Sequence, residues 1–204
     1  MKSKLSVLSL LVIFTSIFSQ DYKILRTSDN SVVFEFKPVY SIDTIKIDNQ
    51  NYLLIDFNFA EIENQNFGKP DLRSRVFPIG VKNEFGNTFR VLASNYKILK
   101  GKVSPIPYTK KENNFFVNDY KIIEDNYRVE NKELIFPDKF GFVRNLPVQY
   151  LRINPVHYDE DSETIKLYEK VIVEVNLSNQ TSLTEVTPLD EYAVNNVINS
   201  EQAK

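Results

Sequence analysis

Cysteine and tryptophan are absent from this chain of 204 residues, and there is one histidine. Without a thiol there is no disulfide framework, no thiolate nucleophile, no Cys-rich zinc site and no iron–sulfur cluster. A Cys–His dyad cannot be assembled within the chain. Glycine is scarce, at five residues, and no glycine-rich phosphate loop, HExxH helix or nucleophile elbow occurs. There is no basic excess either: 25 Lys+Arg stand against 27 Asp+Glu, a formal charge of −2. Nothing here would hold a phosphate backbone, so nucleic acid is not an expected partner. No cofactor is expected.

What is present is ordinary globular composition, 42% hydrophobic and 25% charged. That suffices for one domain with a real core plus short appendages. The 15 Phe and 11 Tyr suit a pleated, half-buried surface and favour β structure. At the N-terminus, Lys2 and Lys4 precede an apolar run, Leu5 to Phe18, broken only by Ser6, Ser9, Thr15 and Ser16. This is the pattern of a secretory signal peptide, residues 1–19, with cleavage expected between Ser19 and Gln20. The competing reading is an uncleaved anchor, but the run is shorter than the ~20 residues that span a bilayer. No later stretch is apolar enough to cross one. The expected location is therefore exported (periplasm, cell surface or extracellular), with no membrane association after cleavage.

Period-of-two alternation dominates the rest. It marks Ser31–Phe36, Thr44–Asp48 and Tyr52–Phe59, with Asp48-Asn49-Gln50-Asn51 as a hairpin turn. Arg73–Val81 is extended, and Pro78 argues for an edge strand or bulge. Thr88–Ala93 and Tyr96–Leu99 read as two strands. Ser104-Pro105-Ile106-Pro107-Tyr108 is proline-stiffened and extended. Thr109–Asp138 reads as a long loop carrying short strands, a kind of segment that is often functional. Gln149–Asn154, an acidic turn over Asp159–Glu163, and Leu167–Leu177 read together as one hairpin. Its Val171, Val173, Val175 and Leu177 face inward, its Lys170, Glu174 and Asn176 outward, and Ile172 suggests a partly covered outer face. Near the end, Thr187 as a cap, Pro188 in the first turn and Leu189, Tyr192, Ala193 and Val197 at helical spacing predict one short helix. The fold expected is all-β: an antiparallel β-sandwich or jelly-roll-like barrel with one short C-terminal helix. The domain would occupy residues 20–180, and residues 181–204 would be a linker with the helix, ending in a polar tail.

Candidate chemistry is thin. His157 has neither a nucleophile nor an orienting acid nearby in sequence, and reads as structural. Asp159, Asp161 and Glu163 alternate through the acidic turn and give a weak calcium alternative. The EF-hand pattern fails there, because there is no glycine at the sixth place and Lys170 stands at the twelfth. Lys110, Lys111, Lys121, Arg128 and Lys132 populate the irregular segment, either as solvated charges or as basic side chains offered to an acidic pocket on a partner. Asn176 and Asn179 fall in glycosylation sequons, a motif too common to carry weight.

The stretch from Gly141 to Leu177 goes further. Gly141 and Arg144, the strand Val148–Ile153, the turn residues Pro155, Val156 and Tyr158, and the return strand Ile165–Leu177 together resemble the propeptide domain of the gingipain-type cysteine peptidases, peptidase family C25. Upstream, Gly68, Pro70 and Leu72 resemble that family's Gly-x-Pro-x-Leu-Pro element. The likeness spans roughly Asp21 to Leu177. His157 replaces the usual glutamine, Asn145 a glycine, and Arg73 the second proline.

The resemblance implies a partner, the catalytic domain of a C25-type cysteine peptidase, in cis or in trans. It also implies a role: assisting the folding of that domain and holding it latent by occluding its active site. A basic side chain in the specificity pocket is implied too. Counting back from Arg144 makes Arg128 the first candidate and Lys121 the second, whereas Arg144 is expected to pack or pair within the domain. The full precursor would be a cysteine-type endopeptidase involved in proteolysis, but this chain, without cysteine, is not expected to be an enzyme. It would be either part of a longer precursor or a free-standing propeptide-like protein. Two alternatives remain: the similar N-terminal domain of a type IX secretion sortase, and a stand-alone secreted β-sandwich that binds glycan or a cell surface.

Overall fold

The computed structural model describes residues 21–62, 67–129, 133–178 and 197–200. The expected signal peptide with Ser19 and Gln20, positions 187–196 of the expected helix, Lys132 and the second sequon lie outside the described residues. The strands are β1 (Tyr22–Ser28), β2 (Ser31–Phe36), β3 (Tyr40–Ile47), β4 (Gln50–Phe57), β5 (Arg75–Gly80), β6 (Thr88–Lys100) and β7 (Lys102–Val103). They continue as β8 (Tyr108–Glu112), β9 (Phe115–Asp119), β10 (Ile135–Val143), β11 (Leu146–Ile153), β12 (Val156–Asp159) and β13 (Thr164–Asn176).

β13 is the axis of the main sheet. Along one edge it pairs with β6 from end to end. Its other edge is divided, Thr164 to Leu167 pairing with β12 and Val171 to Asn176 with β2, beyond which lies β1. A second sheet runs β10-β11-β5 and a third β3-β4-β7, while β8 and β9 form a ribbon of their own. The inward residues of β13 are the alternating Ile165, Leu167, Val171, Val173 and Val175, all fully buried. They share one core with Phe34 and Phe36 of β2, Ile55 and Phe57 of β4, Phe77 and Ile79 of β5, and Leu151 and Ile153 of β11. Phe77 packs its ring 5.4 Å from Phe34 and 5.2 Å from Phe36, and Phe57 lies 6.3 Å from Phe36. The inner faces of the sheets therefore meet through interlocked phenyl rings, as in a sandwich. Among the described residues none of the sheets closes into a barrel.

The hairpin expected between Gln149 and Leu177 is instead split between two sheets. β11 pairs with β10 and β5, and only the short β12 returns along β13. The switch lies at Asn154-Pro155. Asn154 spends its N–H on the Leu134 carbonyl (2.9 Å) and its side-chain amide on that of Glu133 (2.8 Å). Pro155 has no N–H to continue the ladder. Its carbonyl accepts the Tyr168 N–H at 2.8 Å and the Tyr40 hydroxyl at 3.1 Å, which ties the switch to the neighbouring strands.

Smaller departures have equally local causes. β6 is one strand rather than two, because β13 pairs with it along its whole length and the irregularity is taken up in two bulges, one at Glu169 in β13 and one at Leu92 in β6. Glu174, expected to face outward, does so on a covered face: it is buried between Arg90 (2.5 Å) and Arg26 (3.2 Å), which hold its carboxyl below the usual range. Residues 197–199, expected in a linker, are buried, and Val197 and Ile198 pack into the core clusters. Pro78 does lie on an edge strand of its sheet, as its chemistry requires, and its carbonyl accepts the Ile198 N–H at 3.1 Å.

Candidate functional site

The segment following β9, residues 120–129, combines inward anchors with outward charges. Its backbone turns on itself: the Asn126 and Tyr127 N–H groups both donate to the Ile123 carbonyl at 2.8 Å. Tyr127 is the principal anchor. Its hydroxyl donates to the Val103 carbonyl, and its ring meets Tyr52 and Tyr158 edge-on, each at 6.4 Å. Burial pushes its phenol well above the ordinary range, so it stays a neutral donor. The second anchor is Ile123, which lies over Gly68. Gly68 has φ +82°, and a Cβ there would come within 2.9 Å of Ile123 Cγ1. Only glycine satisfies both the backbone angle and the close approach.

Gly68 is itself held by the proline-stiffened strand opposite. Its N–H donates to the Ile106 carbonyl at 3.1 Å, Ile106 returns a bond to Lys69 at 2.7 Å, and Asp71 N–H bonds Ser104 at 2.8 Å. Arg73 follows, reaching Asp71 Oδ2 at 3.2 Å and Asp56 Oδ1 at 2.9 Å. The element Gly68–Leu72 thus forms the seat of the irregular segment.

Beside the anchors lies a cleft of about 570 Å³. Tyr52, Tyr127 and Tyr158 line it, together with the carboxylates of Asp48, Glu124, Glu160, Asp161 and Glu163. Lys102 is the cation among its lining residues, 2.9 Å from Gln50 Oε1 and 3.6 Å from Glu163. The acidic turn is satisfied in part by its own residues and in part by Lys100, while Glu160 Oε2 is buried without a hydrogen-bond partner among the described residues. Asp159 accepts the Ser162 hydroxyl at 2.7 Å, a bond that holds its carboxyl below the usual range, and Lys100 bonds the Ser162 carbonyl at 3.1 Å. Among the described residues no three His, Asp or Glu side chains are grouped so as to hold a metal ion, so Asp159, Asp161 and Glu163 do not converge as calcium ligands.

The basic side chains fall into two groups. Lys110 is held by Glu112 at 2.9 Å and Asp119 at 3.6 Å, and Lys121 by Asp119 at 3.2 Å. Arg128 and Lys111 are exposed, and no described carboxylate pairs with either. A Cβ added at Gly141 would lie 3.5 Å from the Tyr150 ring, an ordinary van der Waals distance. Arg144, expected to pack or pair, instead stands exposed in the β10–β11 turn with φ +57°. Tyr158 is buried and carries the Tyr127 anchor, so the recognisable hairpin and the segment bearing Arg128 touch through two tyrosines. His157 is half-buried with its ring 5.2 Å from Tyr168.

Sequence reasoning did not identify Gly68, Ile123 and Tyr127 as one unit. The available signal was the scarcity of glycine, which makes each one a position with a backbone or packing demand.

Fold and site define a β-sandwich domain that has no cysteine chemistry of its own and presents a seated loop with an outward basic side chain. A family model described as Propeptide_C25 matches residues 19–204. The chain belongs to that family: it is a C25 propeptide domain. A comparison with curated proteins found no match. Among solved structures, a complex of the pro- and mature domains of RgpB from Porphyromonas gingivalis shares the fold, with a TM-score of 0.71 at 14% identity. That match covers 89% of this chain and 98% of the other. A structure addressing the zymogenic latency of gingipain K from the same organism matches with a TM-score of 0.60 at 16% identity, over 76% of this chain and 90% of the other.

Proposed function

We propose that this domain assists the folding of a C25-type cysteine endopeptidase and holds it latent by covering its active-site cleft. The observation that carries this reading is the seated segment. Tyr127 and Ile123 fix its inner side, while Arg128 projects outward without an ionic partner among the described residues. An Arg presented on a supported loop loses little conformational freedom when it enters a carboxylate-bearing pocket. Lys121 is the weaker candidate, because Asp119 already engages it. The peptidase partner, in cis or in trans, is taken from family membership, and so is its cysteine-type endopeptidase activity. Export through the N-terminal signal peptide, to the periplasm, cell surface or beyond, belongs to the same proposal.

The test is inhibition of a C25 catalytic domain by the purified chain. Dose-dependent loss of peptide hydrolysis is expected. Full activity in the presence of micromolar chain overturns the reading.

A further inference from the structure

The β8–β9 ribbon pairs with no other described strand. A lone two-stranded hairpin is marginal in water, yet this one ends in two large apolar side chains, Phe115 (74% exposed) and Phe116 (77% exposed). Its base is held by Tyr108 stacking on Phe67 at 4.5 Å, and along its length Lys110 bridges Glu112 near the turn and Asp119 at the base. Its turn is pre-shaped as well. Asn113 and Asn114 both have positive φ, 45° and 68°, the arrangement that a two-residue hairpin loop of matched twist requires. The ribbon is therefore ordered by its base and turn, while the phenyl rings at its end meet water.

Phe115 and Phe116 are consecutive in one strand, opposite Glu112 and Lys111. Consecutive strand residues point to opposite faces, so one ring stands on each side of the ribbon. A flat surface could cover one ring only. Covering both takes a slot with two apolar walls. Lys111 adds a charge condition, since it is exposed beside Phe116 and no described carboxylate pairs with it. Two copies meeting tip to tip would bring their Lys111 side chains together, which disfavours self-association. A slot with a carboxylate at its rim fits.

We propose that the tip of the β8–β9 ribbon inserts into an apolar, carboxylate-rimmed groove on the peptidase catalytic domain and is an anchor of the complex separate from Arg128. This rests on the latency reading above and names the surface that reading leaves open.

The experiment compares the full chain with its Phe115→Ala, Phe116→Ala and Lys111→Glu variants, titrated onto a C25 catalytic domain with inhibition and direct binding both measured. Each phenylalanine substitution is expected to weaken binding about 10-fold or more, as truncation of a buried aromatic anchor does. Lys111→Glu is expected to weaken it less. Thermal unfolding of the variants should match the parent, because both rings are exposed in the free domain. If the parent binds and inhibits but both phenylalanine variants do so equally well, the ribbon proposal falls and the latency reading stands. If only one ring matters, insertion into a groove is overturned in favour of flat docking. If the parent neither binds nor inhibits, both readings fall together. A concentration-dependent dimer of the parent, abolished by the variants, would assign the tip to a second copy and overturn the proposal.

Discussion

Asn199 and Gly80 are joined by a closed pair of hydrogen bonds: Gly80 N–H donates to Asn199 Oδ1 at 2.7 Å, and Asn199 Nδ2 donates to the Gly80 carbonyl at 2.8 Å. The side chain imitates one rung of a β ladder and caps the edge of β5. With Ile198 N–H on the Pro78 carbonyl, it fastens residues 197–199 to a strand more than a hundred positions earlier. Asn199→Ala leaves a buried N–H and C=O without partners, and should lower unfolding free energy by about 1–3 kcal/mol. Urea denaturation measures it, and an unchanged midpoint would refute it.

Arg73 neutralises a carboxylate that has almost no access to water. Asp71 is 1% exposed, and burial raises its pKa against the opposing pull of Arg73. Removing the guanidinium strands that group. Arg73→Ala should cost roughly 3–5 kcal/mol, and adding Asp71→Asn should restore part of the loss. A double-mutant cycle without coupling between the two positions would contradict this.

Gly68 is the sharpest test of the seat. Gly68→Ala introduces a Cβ at φ +82° that overlaps Ile123. A loss of roughly 1–3 kcal/mol is expected from the strained backbone. Inhibition of the peptidase should also weaken, although Arg128 is untouched, because the segment loses its registration. A destabilised variant with full inhibitory strength at low temperature would separate the seat from the function.

Arg128→Ala should weaken inhibition of a C25 peptidase by about 10-fold or more, and Lys121→Ala by much less, since charged anchors in closed pockets are hot spots whereas exposed, already-paired lysines are not. Inhibition constants for the two variants decide between them. Equal effects would reassign the contact.

His157 gives a pH dependence of known sign. Burial first, then the neighbouring Lys166, lowers its pKa below 6.5, against a smaller opposite effect from the Asn154 backbone. The unfolded chain therefore takes up a proton as pH falls through 6.5, and the folded chain does so only at lower pH. Stability should decline over that interval on acidification and be intact above it. His157→Gln should flatten this part of the profile; an identical slope in both proteins would place the titration elsewhere.

The β class and most strands were legible because alternation is strong where one face is buried. Val171, Val173 and Val175 announced the central strand, and Ser31–Phe36 was found to the residue. The split at Pro155 was not legible. Two successive alternating runs look the same whether they pair with each other or with different partners, since periodicity records which face is buried and says nothing of the neighbour. The buried tail was hidden for a related reason: Asn199 reads as a solvated polar residue until its two bonds to Gly80 are seen. In the segment after β9, the basic residues Lys121 and Arg128 are visible in sequence, but the groups that fix the segment's backbone are not. Tyr127 and Ile123 are ordinary core-type residues whose role comes from where Val103 and Gly68 happen to stand.

The position of β13 along the chain has a kinetic consequence. The strand around which the main sheet is assembled, pairing with β2, β6 and β12, is the last of the thirteen described strands to be synthesised. β2 emerges about 140 residues earlier, and although β1 can pair with it at once, its other edge must stay open until then. Closure of such long loops is slow, and chains with this wiring expose unpaired strands while they wait. During synthesis the local hairpins β1–β2, β3–β4 and β10–β11 can form, while the edges that β13 will cover stay open. Open strand edges of this kind call for protection from aggregation until Asn176 is available to close the sheet.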